Sequence, residues 1–330
     1  MSHSTTIITF DKPDKTYLPG DTVNGQVTIT NTKPLKTRSV FIKWVGYSKT
    51  AIGFNPECYH YYFNGSKLAW ASKSAKNEMP IGTHVYPFSF TLPKDSAPTF
   101  KRMDGRNKYK VIVEFDKPWW SNTKVKEEFR VTKNPEGIEK YRVRADWTWK
   151  DHIPSGWIFT SGAISINTTM PYAAFQPGET FDVKFDIVND SGSTINGVHL
   201  QLSKYTHWHA RHQQKPCKAY DTCHLKSSQR FTSYGAYRPG KLKKVDIAPY
   251  CDRTLTIPFT IPTEVQSPSF ESGLMTNGYD LQVSFFLKGS PISHDIFINI
   301  QIGENLDNMI GKKIEKKQEV VDSAPPPYTA

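Results

Sequence analysis

The sharpest short motif in the chain is Pro325-Pro326-Pro327-Tyr328. Successive prolines preset a polyproline II helix, which lowers the entropy lost on binding. WW domains receive Pro-Pro-x-Tyr segments in aromatic grooves, so Pro325, Pro326 and Tyr328 are the side chains expected to dock. A second group is cationic: Lys101, Arg102, Arg106, Lys108 and Lys110 fall within ten positions. Such a cluster attracts phosphorylated peptides or anionic lipid heads, and otherwise is a solvated strand face. A third group collects His207, His209, His212, Cys217, Cys223 and His224. Imidazole and thiol are zinc donors, and His207 and His209 would share a face if the segment is a strand. Cys-x5-Cys-His is not a zinc spacing, however, so this stretch is expected to be an exposed hairpin without metal.

Catalytic signatures are missing. The chain has no Gly-x-Ser-x-Gly, no His-Glu-x-x-His, no phosphate-binding Gly-x-x-x-x-Gly-Lys-Ser/Thr and no Gly-x-Gly-x-x-Gly. Neither an enzyme nor a cofactor is expected. The net charge is +11, and it is unevenly placed: residues 1–150 carry 25 Lys and Arg against 14 Asp and Glu, whereas 151–300 are nearly balanced. The basic field therefore belongs to the first half and suits acidic partners. No recognition helix, ribonucleoprotein motif or finger spacing accompanies it, so nucleic acid is not an expected partner. No apolar run approaches the ~18 residues of a membrane span. The N-terminus lacks the pattern of a secretory signal. Four irregularly spaced cysteines fit a reducing compartment. A cytoplasmic protein is the expectation.

The elements that must position these groups are strands. The chain has 330 residues, with 20 Gly, 23 Pro and 13% aromatics, too turn-rich for a helical protein. Residues 17–31 and 175–189 repeat one pattern: an aromatic, Pro-Gly, an acid, Thr, alternating apolar residues and Asn. Proline fixes φ and glycine supplies the positive φ of a type II turn, and the alternation that follows gives a strand with one buried face. Ala97-Pro-Thr-Phe100 before Tyr109 likewise echoes Ser267-Pro-Ser-Phe270 before Tyr279. The repeats predict one all-β domain used twice, over 1–148 and 157–303, each an antiparallel sandwich. A hinge is expected near 146–156, where tryptophans mix with Pro and Gly. Residues 304–330 are expected to form a flexible tail.

These features together resemble the arrestin family, and within it the α-arrestins, the arrestin-domain-containing proteins. The resemblance rests on Tyr17, Pro19, Gly20 and Asp21, and on Pro98 and Phe100 before Tyr109. It extends through Phe115-Asp-Lys-Pro-Trp119, Ser161-Gly-Ala-Ile-Ser-Ile166, Phe175-x-Pro-Gly-Glu179 and the Pro-Pro-x-Tyr motif. It implies two tandem immunoglobulin-like sandwiches in the arrestin fold, without catalytic activity. It further implies an adaptor that links membrane cargo, such as receptors or transporters, to a WW-domain HECT-type ubiquitin ligase for ubiquitination and endosomal sorting. Such a protein would associate peripherally with plasma membrane and endosomes. The alternative is a non-enzymatic scaffold whose basic first domain binds phosphorylated tails or acidic lipids without a ligase.

Overall fold

The computed structural model describes residues 3–117, 121–155, 159–214, 223–237, 240–291 and 293–306. The chain divides into two compact units. One is built from Met1–Lys133 with His207–Thr232 and Phe270–Thr276; the other is Asn134–Thr206, Ser233–Ser269 and Asn277–Ala330. Short 3₁₀ turns at Ile138–Tyr141 and Ser227–Gln229 are the helical elements among the described residues. None of these is long and apolar enough to cross a membrane.

The strands of the first half are β1 (Ser4–Phe10), β2 (Thr16–Tyr17), β3 (Thr22–Asn31), β4 (Leu35–Lys36), β5 (Ser39–Thr50), β6 (Cys58–Ala71), β7 (Glu78–Met79), β8 (Gly82–Thr91), β9 (Phe100–Lys101), β10 (Gly105–Asp116) and β11 (Thr123–Val131). They form a sheet ordered β1-β3-β8 and a second ordered β2-β11-β10-β5-β6, with β9 on β10. Alternation decides which side each residue faces. Val23, Val27, Ile29 and Phe88 from one sheet meet Val40, Ile42, Val111, Val113 and Phe129 from the other in a single buried cluster. Burying such side chains contributes about 1.5–3 kcal/mol each relative to exposure.

The second half carries β12 (Ala145–Ser155), β13 (Phe159–Met170), β14 (Ala174–Phe175), β15 (Thr180–Asn189), β16 (Ile195–His209), β17 (Arg230–Ala236), β18 (Lys241–Ile247), β19 (Cys251–Thr260), β20 (Phe270–Glu271), β21 (Met275–Leu287) and β22 (Ser293–Ile302). The sheets are β12-β13-β15-β19 and β14-β22-β21-β16-β17, with β18 on β16 and β20 on β21. Ile166, Val183, Phe185 and Ile187 face Leu200, Leu281, Val283 and Ile300 across a core of the same design.

The internal repeat is visible strand by strand. Thr22 opens β3 opposite Thr91 of β8, and Thr180 opens β15 opposite Thr260 of β19. Tyr17 pairs in parallel with Val131, and Phe175 with Ile302. The second echoed motif does a common job too. Tyr109 Oη donates to the Ala97 carbonyl at 2.5 Å and Asn107 Nδ2 to that of Pro98 at 2.9 Å. Tyr279 and Asn277 do the same to Ser267 and Pro268 at 2.7 and 3.1 Å. These bonds satisfy buried polar groups and pin the long central strand to the loop before it.

Two expectations shift. The segment 146–156, read as a hinge, is β-strand as far as Ser155: Trp147 and Trp149 sit opposite Thr168 and Ile166 of β13 and pack against the second core. β12 lies at a sheet edge, and the register breaks between His152 and Pro154, where an edge tolerates a residue without an N–H. At the other end, packing continues past Gly303. Leu306 is buried with Ile138 and Ala174, and its N–H donates to Gln176 Oε1 at 3.0 Å. The expected tail beyond it, including Pro325, Pro326 and Tyr328, lies outside the described residues.

Candidate functional site

The five cations near position 101 are organised by β10. Its period-two alternation turns Gly105, Asn107, Tyr109 and Val111 inward and leaves Arg106, Lys108 and Lys110 on the outer face. Register then sets their neighbours. Arg106 lies opposite Lys101 of β9 on one side and Lys49 of β5 on the other, so three cations form a row across three strands. Lys49 continues to Tyr59 of β6. The next row runs from Lys108 to Tyr47 to Tyr61. Tyr59 and Tyr61 are exposed and stack with centroids 6.1 Å apart, while Tyr47 lies about equally close to both. Lys110 Nζ sits 5.4 Å from the Tyr47 ring centroid and Lys49 Nζ 5.3 Å from that of Tyr59, both within cation–π reach.

The loop between β9 and β10 is held close to the sheet. Arg102 N–H donates to the Gly105 carbonyl at 2.9 Å. A Cβ on Gly105 would stand 2.6 Å from Trp208 Nε1, so glycine is required for the loop to rest on the buried indole. Lys101, Arg102 and Arg106 join Lys49 and Met103 around a cleft of about 240 Å³. Met103 and Phe54 are fully exposed at neighbouring loop tips, where Ala51 N–H bonds the Asp104 carbonyl at 2.9 Å.

Acids temper this face without neutralising it. Lys108 pairs with Glu128 at 2.5 Å, and Lys49 pairs with Glu57. The bond to Lys49 draws the Glu57 carboxyl below its ordinary range. Burial pushes the Lys110 ammonium down, and the like charges of Lys126 and Lys108 add to the effect. Lys110 is thus a crowded cation that gains by meeting an anion. Farther along the face, burial pushes Glu114 up, but hydrogen bonds from Lys43, Asn122 and Lys124 outweigh it and hold the carboxyl at about 2. Lys49, Tyr47, Tyr59 and Tyr61 were missed in the sequence, although Tyr47-Ser-Lys49 and Tyr59-His-Tyr61 carry the period-two signal that puts them on this face.

The His/Cys stretch is not an exposed hairpin. β16 runs to His209, and Thr206, His207, Trp208 and His209 are all buried. The His207 and His209 rings meet edge to face at 4.9 Å, and Cys223 is buried beside them. His207 Nδ1 is 2.7 Å from Thr232 Oγ1, and His209 Nδ1 is 3.2 Å from the Gly273 carbonyl. Burial, reinforced by His209 and Arg230, drives His207 down to about 4; burial also lowers His209. Burial thus favours the neutral form of both rings. His212 instead stacks on His60 at 4.0 Å, and His224 is exposed. Cys217 lies outside the described residues.

Comparison with known proteins places these features in context. Residues 6–136 match the family described as arrestin (or S-antigen), N-terminal domain, and residues 160–306 match its C-terminal domain. Similar proteins include arrestin domain-containing protein 17 of Caenorhabditis elegans, 24% identical over 57% of this chain and 48% of that protein. Arrestin domain-containing protein B of Dictyostelium discoideum is 23% identical over 57% of this chain and 31% of its own length. Arrestin domain-containing protein 4 of Mus musculus is 22% identical over 56% and 48%. The aligned region spans about half or less of each relative.

Proposed function

The chain belongs to the arrestin family, and on that premise we propose that it is a non-catalytic trafficking adaptor. In this reading the outer face of β10, β5 and β6 receives an anionic stretch in the cytoplasmic region of a membrane protein. The Pro325-Pro326-x-Tyr328 segment recruits a WW-domain HECT-type ubiquitin ligase to that cargo, and the protein works in the cytoplasm against plasma membrane and endosomes. The observation that carries the cargo arm is the cross-strand row Lys101–Arg106–Lys49 beside the Tyr47, Tyr59 and Tyr61 rings. Cations in a row suit a string of phosphates or carboxylates, and exposed tyrosines add stacking and hydrogen bonds to the same ligand. The ligase arm rests on the tail motif alone. The second reading, a scaffold for phosphorylated tails or acidic lipids without a ligase, uses the same face.

Two titrations test the arms separately. Charge reversal at Lys101, Arg106 and Lys108 is expected to weaken binding of a multiply phosphorylated peptide, with the loss shrinking as salt rises. Equal affinity of parent and variant at low salt would remove the basic face from the mechanism. For the tail, the 316–330 peptide is titrated against a panel of WW domains. Tyr328→Ala is expected to cost about 2 kcal/mol, roughly thirtyfold in affinity. Pro327→Ala, at the variable position, is expected to cost far less. If no WW domain binds the parent peptide, the ligase arm fails and the scaffold reading stands.

A further inference from the structure

We propose that His207, His209 and Cys223 form a site for a zinc ion in the first compact unit, with three protein donors and a fourth position open to water. One ring nitrogen from each histidine and the Cys223 Sγ all lie within 4.8 Å of one another, and all three residues are buried. Zinc takes nitrogen at about 2.0 Å and sulfur at about 2.3 Å, which brings two nitrogens and a sulfur in tetrahedral positions roughly 3.3–3.5 Å apart. The donors therefore have to close by up to roughly 1.5 Å, a movement on the scale of side-chain rotation. Two imidazoles and a thiolate form a borderline-soft set that suits zinc rather than calcium or magnesium.

The surroundings resemble the outer shell of a metal site. Gly273 O accepts from His209 Nδ1–H, which places the ring lone pair on Nε2, and Thr232 Oγ1 holds His207 through its Nδ1. Orientation of ligating histidines through the second nitrogen is the usual companion of zinc. Arg230 works in the opposite sense: its Nη1 donates to the Cys223 carbonyl at 2.8 Å, and its charge opposes a dication. Loss of the thiol proton on metal binding offsets one of those charges. The ion would tie the end of β16 to the segment entering β17, next to Trp208, the indole on which Gly105 and its basic loop rest. The sequence conceals this set because Cys223 comes from a connection fourteen residues past His209, in a spacing no standard finger uses.

The test uses the full chain, free of any polyhistidine tag, stripped with a chelator and confirmed folded by circular dichroism. Titration with zinc(II) against a fluorescent chelator is expected to reveal one equivalent bound at about micromolar Kd or tighter. Cobalt(II) is expected to give visible bands of a tetrahedral site and a near-ultraviolet thiolate-to-cobalt band. Cys223→Ser, close to isosteric, should erase the ultraviolet band, and His209→Gln should weaken zinc as well. Thr232→Val should weaken it by roughly 10–100-fold, while exposed His224→Gln should leave it unchanged. Zinc should raise the melting temperature of the parent and not of Cys223→Ser. Should the variants fail to fold, the parent decides: no stoichiometric zinc and no thiolate band overturn the site. The site is overturned equally if folded Cys223→Ser binds like the parent, or if His224→Gln loses zinc as His209→Gln does.

Discussion

The Pro-Gly turn of the first half and its counterpart in the second make the same main-chain bonds and then part company. Gly20 N–H donates to the Leu92 carbonyl and Leu92 N–H to that of Asp21; Gly178, Ile261 and Glu179 repeat both. The acid folds back in each, Asp21 Oδ2 accepting from Leu18 N–H at 3.1 Å and Glu179 Oε2 from Gln176 N–H at 2.9 Å. The cations differ. Asp21 meets Lys12 at 2.9 Å in a half-exposed pair. Glu179 meets Arg142, whose side chain is 3% exposed, and one Arg142 nitrogen reaches both carboxylate oxygens, at 3.0 and 3.2 Å. That guanidinium stacks 3.9 Å from the Tyr172 ring and donates to the Ala174 carbonyl at 2.9 Å. The hydroxyl has moved as well: Tyr17 donates to Asp11 at 2.5 Å in the first half, whereas Phe175 has none and Tyr172 donates to Glu179. One local turn has thus been kept while its electrostatic partner went from the surface to the interior.

The largest expected effect follows from that burial. Glu179→Ala leaves Arg142 charged and enclosed, which is expected to cost the second domain about 3–5 kcal/mol. The matching Asp21→Ala, beside a solvated lysine, should cost about 1 kcal/mol or less. Denaturant unfolding of the full chain, followed by proteolysis of each domain, reads both. Similar losses at the two sites would break the contrast between them. Next come the glycines, at φ 94° for Gly20 and 84° for Gly178. A Cβ would find 3.8 and 3.4 Å of space respectively, so the strain is in the backbone alone. Alanine at either is expected to cost about 1–2 kcal/mol, and by nearly the same amount, because the turn is common to both. A much larger loss at Gly178 would mean that the buried pair depends on the turn geometry.

The smallest effect is a pH dependence at the first turn. The hydrogen bond from Lys12, helped by Leu18 N–H, holds the Asp21 carboxyl below its ordinary 3.8. A depressed carboxyl contributes stability that is full above the unfolded value and fades as pH falls through the folded one. Lys12→Met should therefore lower stability slightly at pH 7 and converge with the parent below about pH 4, which flattens the acid limb. An unchanged acid limb would assign that slope to other carboxyls, Glu114 foremost.

Much of the architecture was legible from residues 17–31 and 175–189, because a Pro-Gly turn and alternating apolar residues act over a few bonds. The cations from Lys101 to Lys110 were legible as a cluster, whereas the shared outer face of Arg106, Lys108 and Lys110 came from the pleat of β10. The segment 146–156 misled because its Trp and Pro suggest a break, and only β13 alongside shows 146–155 as an edge strand. Arg142 gave no signal: nothing near it in sequence announces a partner thirty-seven residues away in Glu179. By itself, then, the order of residues determined the all-β class, the duplication and the charge of the first half, which are local or additive properties. Tertiary structure alone decided that Lys49 completes the row of Lys101 and Arg106, that Arg142 is buried, and that His207, His209 and Cys223 converge. Those depend on strand register and on contacts across long loops, where one residue of slip would turn every side chain to the opposite face.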